Sequence, residues 1–109
     1  MFPTVRLLQH ACQITLFTRA NCSLCTKAKE TLSSVWDVRP FEYKEIDVMK
    51  PEGKCWRDLY EFDTPVIHIN SSKKGEEVPE LASKAKKLMH RFSPEEVKAK
   101  MDDVESQGV

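Results

Sequence analysis

The run Leu16-Phe17-Thr18-Arg19-Ala20-Asn21-Cys22-Ser23-Leu24-Cys25 decides how this chain folds. It joins an alternating apolar segment, Ile14 to Thr18, to a segment of helical periodicity, Leu24 to Val35. A Cys-x-x-Cys pair therefore stands where a strand turns into a helix. The first turn of a helix offers unpaired N–H groups and the positive end of the helix dipole, and both stabilise a thiolate. The run thus predicts a thiol pair suited to thiol–disulfide chemistry.

Composition indicates one globular domain. The chain has 109 residues, of which 40% are hydrophobic, and its 17 basic side chains balance 17 acidic ones. Balanced charge argues against general nucleic-acid binding, which needs a basic face. No apolar run is long enough to span a membrane. We therefore expect neither nucleic acid nor a membrane among its partners. The protein is expected to be a monomer.

Only two of the four cysteines, Cys22 and Cys25, have a recognisable spacing. A secreted disulfide framework is not indicated, and Cys12 and Cys55 are interpreted as small buried hydrophobes. Zinc normally takes four ligands, and the sequence offers no second Cys pair. The favoured role of the pair is redox chemistry. Inert core thiols and ligation of a metal or cluster are the alternatives.

The start of the chain is interpreted as an extension, residues 1–12, before a domain that spans residues 13–109. No acidic residue precedes Glu30, while Arg6 and Arg19 do. This pattern is typical of a frayed end before the first strand, which we favour, or of a short mitochondrial targeting segment. The expected compartment is a reducing, cytoplasmic one.

Periodicity and turn residues predict the remaining elements. Further strands are expected at Phe41–Val48, Val66–Ile69 and Leu88–Phe92. The segment from Trp36 to Pro40 is expected to end the first helix. Residues 70–86 are predicted to form an exposed connection, with a short helical turn near residues 80–87.

Two further helices are expected. The first follows Gly53 and would bury Trp56, Leu59 and Tyr60. The second opens at Ser93-Pro94-Glu95-Glu96, which is typical of a capping box, and would bury the stripe Val97, Met101 and Val104. The first two strands must be parallel because a helix joins them. The sequence therefore predicts an α/β fold, a four-stranded mixed sheet flanked by about three helices.

This arrangement and two motifs resemble the glutaredoxins of the thioredoxin superfamily. The run Leu16 to Cys25 is similar to their active-site strand and turn, and Asp63-Thr64-Pro65-Val66 resembles the segment in which the superfamily places a cis-proline. The pair His90-Arg91 also resembles a His-Arg pair found in a group of short, little-characterised glutaredoxin-like proteins. The resemblance covers roughly residues 13 to 106.

The resemblance implies a thioredoxin-like fold and a thiol–disulfide oxidoreductase that serves electron transport. Cys22 would be the nucleophile and Cys25 the resolving thiol, and the substrates would be disulfide-containing or glutathionylated proteins. Thr64 and Pro65 would hold the substrate backbone. Arg19 would favour the thiolate and attract a carboxylate, with a solvated loop arginine as an equal alternative. No metal or tightly bound cofactor is expected, and glutathione is a candidate electron donor.

Three departures from the glutaredoxin pattern keep a second interpretation open. Ser23-Leu24 separates the cysteines instead of Pro-Tyr, Arg91-Phe92-Ser93-Pro94 replaces the Gly-Gly-Asp turn that holds glutathione, and no Trp precedes Cys22. The alternative is a non-catalytic thioredoxin-fold module that binds a metal, an Fe–S cluster or a protein partner. His68 and His90 are interpreted as packed or solvent-facing, and Lys27 as a charge on the helix surface.

Overall fold

Strands and helices follow one another in the order that the sequence predicts. The computed structural model of the chain describes residues 12–72, 79, 82 and 85–107. Within these ranges the elements are β1 (Cys12–Thr18), α1 (Ser23–Val38), β2 (Glu42–Asp47), a 3-10 turn (Pro51–Gly53), α2 (Lys54–Tyr60), β3 (Val66–Ser71), β4 (Lys86–Met89) and α3 (Pro94–Gln107). None of the described helices has the length and apolar composition that a membrane span requires.

The four strands form one mixed sheet in the order β2-β1-β3-β4. β1 runs parallel to β2, with Phe17 opposite Ile46, and antiparallel to β3, with Phe17 opposite Val66. β4 is antiparallel to β3 and places Met89 opposite Val66. The ends of β1, β2 and β4 and the start of β3 therefore meet at one edge of the sheet. The predicted four-stranded α/β arrangement is confirmed.

Helices cover both faces of the sheet because successive strand residues point to opposite faces and both sets are apolar. On one face, Leu16 and Ile67 pack with residues of α1 and α3 such as Leu32 and Met101. On the other face, the buried apolar side chains of the described residues include Phe17, Ile46, Val48, Trp56, Tyr60, Val66 and Ala82. The α1 helix, which begins at the Cys-x-x-Cys motif, is thus anchored along its length to the larger of two cores.

The start of α3 is the capping box that the sequence predicts. The N–H of Ser93 donates to Oε1 of Glu96 at 3.0 Å, and the N–H of Glu96 donates to Oγ of Ser93 at 3.1 Å. Its predicted stripe of Val97, Met101 and Val104 is buried. Two backbone donors at the helix start are therefore satisfied locally.

Several predicted boundaries are wrong. The α1 helix continues through Trp36 and ends at Val38. Arg39 leaves the helical region (φ −143°) because a residue before proline, here Pro40, disfavours it. The β3 strand extends to Ser71, so the exposed connection begins later than predicted. Most of that connection, residues 73–78, 80, 81, 83 and 84, lies outside the described residues.

The last strand is also displaced from its predicted position. β4 is Lys86–Met89, so Lys86 and Lys87 are strand residues and not part of a helical turn, while residues 90–92 follow the strand. His90 has a positive φ of 64°, and the N–H of Arg91 donates to the carbonyl of Met89 at 2.8 Å. This sharp turn follows Met89, so the strand ends three residues before Phe92.

Two side chains of α2 are placed differently from prediction. Trp56 and Tyr60 are buried, but Leu59 is 42% exposed because it lies at the border of a two-turn helix whose sheet-facing side is already occupied by the aromatic rings. Cys55, which was expected to be buried, is exposed. The buried face of α2 is therefore narrower than its sequence suggests.

Candidate active site

Cys22 and Cys25 form a disulfide at the start of α1, with 5.2 Å between their Cα atoms. Cys22 is the N-cap residue, in an extended conformation, and Cys25 belongs to the first turn. Their exposure differs: Cys22 is half-buried, whereas Cys25 is only 2% exposed. Cys22 is therefore the more accessible residue of the pair.

The Sγ atom of Cys22 caps the helix. It accepts a hydrogen bond from the N–H of Cys25 at 3.1 Å, and the carbonyl of Cys22 accepts the N–H of Thr26 at 3.2 Å. The turn that leads into the helix places Asn21 in the left-handed region (φ 58°), which asparagine tolerates better than most residues. The local sequence thus aims the Cys22 sulfur at the positive end of the helix dipole.

The Thr64–Pro65 peptide bond is cis, as the resemblance implies. Pro65 directly precedes Val66, which pairs with Phe17 near the end of β1, so the cis-proline lies at the same sheet edge as the cysteines. Thr64 is half-buried, and its backbone makes no hydrogen bond to another described residue. The Thr64 backbone, two residues before β3, is therefore without a described hydrogen-bond partner at the sheet edge where α1 begins.

The loop after β4 is tied to the cis-proline segment at two points. The N–H of His90 donates to the carbonyl of Pro65 at 2.8 Å. The imidazole Nε2 of His90 lies 3.6 Å from Oδ1 of Asp63. Because both contacts involve His90, the left-handed turn at this residue fixes the position of Arg91 and Phe92 relative to the site.

Arg19 lies at the same edge, in the loop between β1 and α1. Its Nη1 atom donates a hydrogen bond to the carbonyl of Glu61 at 2.9 Å, which joins this loop to the end of α2. One of the five guanidinium N–H donors is used in this bond. The structure therefore assembles Arg19, Cys22, Cys25, Thr64 and Pro65 at one edge and gives Arg19 a structural contact that its sequence position did not indicate.

A groove of about 520 Å³ lies along α1, and one of its lining residues, Ser23, directly follows Cys22 in the chain. The helix wall consists of Ser23, Leu24, Lys27, Ala28 and Thr31. The opposite wall is formed by the loop after β4, with His90, Arg91 and Phe92. The sequence analysis missed this groove: Lys27 and Arg91 line it together. The signal available was the spacing of Leu24, Ala28 and Thr31, which places them on one helix face.

The remaining cysteines and the buried histidine have other surroundings. Cys12 is buried, and its Sγ lies 3.7 Å from the carbonyl of Met101. His68 is buried with its Nε2 at 2.7 Å from the hydroxyl of Tyr60, so its interpretation as a packed residue is confirmed. Among the residues that the structure describes, no group of three or more His, Cys, Asp and Glu side chains is arranged to hold a metal ion.

A mixed four-stranded sheet, a Cys-x-x-Cys disulfide capping the first helix and a cis-proline at the same edge define a thioredoxin-like domain of glutaredoxin type. The family model named Glutaredoxin-like domain (DUF836) matches residues 13–102. The chain belongs to this family.

Known proteins share both the sequence pattern and the fold. The chain is 36% identical over 61 residues to the Glutaredoxin-like protein YDR286C homolog of Dictyostelium discoideum. This match covers 52% of the chain and 56% of that protein, so the chain spans about half the length of this curated relative.

Two solved structures share the fold. Thioredoxin 1 from Thermosipho africanus superposes with a TM-score of 0.61 at 18% identity, over 88% of this chain and 97% of that one. The protein XcR50 from X. campestris gives a TM-score of 0.56 at 19% identity, over 83% of this chain and 96% of that one. At these identities the two structures support the fold alone.

Proposed function

We propose that the protein is a thiol–disulfide oxidoreductase in which Cys22 is the nucleophile and Cys25 the resolving thiol. The asymmetry of the pair carries this proposal. The half-exposed sulfur of Cys22 faces the N–H of Cys25 at the start of α1, while Cys25 is buried behind it. When the disulfide is reduced, the same N–H group and the helix dipole favour negative charge on Cys22. The reactive form is therefore favoured on the accessible sulfur.

The reaction proceeds in two exchanges. The Cys22 thiolate attacks one sulfur of a substrate disulfide, forms a mixed disulfide with it, and releases the other substrate sulfur as a thiolate that takes up a proton. Cys25 loses its proton and attacks Cys22 Sγ, which forms the Cys22–Cys25 disulfide and releases the second substrate thiolate. The substrate gains two electrons and two protons, and the protein dithiol is oxidised to the disulfide.

The substrates that we propose are disulfide-containing or glutathionylated proteins. The unpaired Thr64 backbone beside cis-Pro65 offers an N–H and a carbonyl to an incoming extended chain. Arg19 uses one N–H on Glu61 and has further donors for a substrate carboxylate. Two equivalents of glutathione, or another thiol donor, would return the pair to the dithiol. A monomer in a reducing compartment such as the cytoplasm suits this cycle.

The first experiment measures how fast Cys22 is alkylated as a function of pH, in a variant whose Cys12, Cys25 and Cys55 are replaced by serine. The thiolate is the species that reacts, so the rate midpoint reports its formation. A midpoint well below about 8 is expected, against about 8.5 for an ordinary thiol. A matched variant that keeps Cys55 as its one cysteine provides the exposed reference thiol.

A midpoint of Cys22 at or above that of Cys55 would contradict the proposal. The helix start would then not activate the thiol, and the non-catalytic module would be the better interpretation. Zinc and iron analysis of the purified protein would then follow, because a metal- or cluster-binding module would contain one of them in stoichiometric amount.

A further inference from the structure

The groove beside Cys22 is long compared with the reacting disulfide. Its helix wall extends from Ser23 to Thr31, eight residues along α1. At a rise of 1.5 Å per residue this wall is about 12 Å long. An extended chain advances about 3.3 Å per residue, so the groove accommodates about four residues. Ser23, at one end of this wall, directly follows Cys22 in the chain, although Cys22 itself does not line the groove.

The lining of the groove is apolar at its base and positive at its rim. Ala28 is buried and Leu24 and Phe92 are half-buried, whereas Lys27 and Arg91 are exposed on opposite walls. Among the residues that the structure describes, no carboxylate lines the groove and no acidic side chain forms an ion pair with Lys27 or Arg91. The carboxylate of Asp63 contacts His90 of this wall, with 3.6 Å between Oδ1 and Nε2, and Asp63 is not itself a lining residue. Two unpaired cations over an apolar base match a ligand that carries both carboxylates and apolar side chains.

We propose that this groove binds an acidic, partly apolar segment of the substrate protein, immediately next to the cysteine that Cys22 attacks. The proposal rests on the proposed function and adds a substrate class to it. Carboxylates of the segment pair with Lys27 and Arg91, and its apolar side chains cover Leu24 and Phe92. The segment is held in extended form, because the same substrate chain is extended where it pairs with the backbone of Thr64.

The length of the groove favours a protein segment over glutathione. In glutathione the cysteine is the middle of three residues, so only one residue extends to each side of the reacting sulfur. A ligand of this size leaves the far end of the groove, at Thr31, empty. A protein segment continues past the cysteine and covers the full length.

The test compares two eight-residue peptides that differ only in charge. Each contains one cysteine in a mixed disulfide with 2-mercaptoethanol, flanked on both sides by leucine and by either glutamate or lysine. The second-order rate constant for reduction by the reduced full-length chain is measured for both, and the glutamate-to-lysine ratio is the readout. Each exposed ion pair contributes a factor of about 1.5 to 5, so a ratio of about ten is expected.

Charge reversal identifies the groove as the source of the preference. In the double variant Lys27→Glu and Arg91→Glu, the ratio should fall at least about ten-fold, because attraction becomes repulsion. The control is Lys54→Glu, which also reverses the charge of an exposed residue but lies on α2, on the other face of the sheet. The glutamate-to-lysine ratio of this variant should equal that of the wild type. A ratio near one in the wild type, or an equal fall in the control, would overturn the proposal.

Two further outcomes separate this proposal from others. If reduction of glutathione disulfide falls in the double variant as much as reduction of the glutamate peptide, the groove holds the tripeptide and the proposal is wrong. If the wild type reduces neither peptide, the proposed function fails, and the groove is tested by NMR titration with the glutamate peptide carrying serine for cysteine. Chemical-shift changes confined to the signals of Ser23, Lys27 and Arg91 would support binding of the peptide in the groove. The absence of such changes would overturn the proposal.

Discussion

The thiol of Cys12 lies against the carboxylate of Glu105, with 3.8 Å between Sγ and Oε2. Burial, followed by the negative charge of Glu105, raises the pKa of Cys12 to about 11, although Arg39, which pairs with the same carboxylate, opposes part of this effect. The pKa of an ordinary cysteine thiol is lower, about 8.5 to 9.0. The folded state therefore holds the Cys12 proton more tightly than the unfolded state does.

Because of Cys12, the free energy of unfolding should therefore decrease at alkaline pH. Below pH 9 both states are protonated and the contribution is fully present; as the pH rises from about 9 to about 11, only the unfolded state loses its proton, and the contribution is lost. In urea denaturation of the oxidised protein, the wild type should lose about 2 kcal/mol more between pH 8 and pH 11 than Cys12→Ala does. Cys55→Ala should behave as the wild type, and an identical loss in all three proteins would refute the prediction.

Gly53 is predicted to be intolerant of any side chain. A Cβ atom there would lie 2.8 Å from the Cα of Val48 and would also meet the backbone of Asp47, which cannot move without disturbing the end of β2. Gly53→Ala should therefore lower the free energy of unfolding by about 1–3 kcal/mol, measured by urea denaturation. The neighbouring Glu52→Ala, an exposed position, should change it by less than about 0.5 kcal/mol. Equal effects at both positions would show that the close approach is relieved at little cost.

The capping box of α3 permits a double-mutant test. Ser93→Ala leaves the N–H of Glu96 without its acceptor and should cost about 1 kcal/mol of stability. Ser34→Ala, in the exposed interior of α1, is the matched control and should be neutral or slightly stabilising because alanine favours helix. Since Ser93 and Glu96 bond to each other, Glu96→Ala should cost less in the Ser93→Ala protein than in the wild type. Strict additivity of the two substitutions would exclude the reciprocal bonds.

Features with a local cause were predictable from the sequence. The N-cap position of Cys22 follows from the change of periodicity after Thr18, and the start of α3 follows from Ser93 and Glu96, because in both cases a few adjacent residues supply the interactions. The parallel pairing of β1 and β2 follows from the helix between them. The cis bond before Pro65 was implied by the resemblance and not by spacing, since most X–Pro bonds are trans.

Features that depend on tertiary packing were not predictable. The end of β4 depends on His90, which adopts a left-handed conformation, and on its hydrogen bond to Pro65, which joins distant parts of the chain. Histidine adopts this conformation more readily than most residues, but its presence alone does not place a turn. The groove requires α1, which carries Lys27, and the loop that carries Arg91 to lie close together, and only the packing of the sheet edge brings these two segments together. Exposure of Cys55 likewise depends on which side of α2 meets the sheet.

The unequal exposure of the two active-site cysteines predicts opposite results when each is replaced by serine. In Cys25→Ser the accessible Cys22 can still attack, but nothing resolves the mixed disulfide, so the protein should accumulate as an adduct with one half of the substrate, seen by intact mass spectrometry and removed by dithiothreitol. In Cys22→Ser the remaining thiol is 2% exposed, so no adduct and no turnover should appear. Both variants are made in a Cys55→Ser background, because that exposed thiol would form adducts of its own. Turnover that survives in Cys22→Ser, or an adduct on Cys25, would reverse the assigned roles.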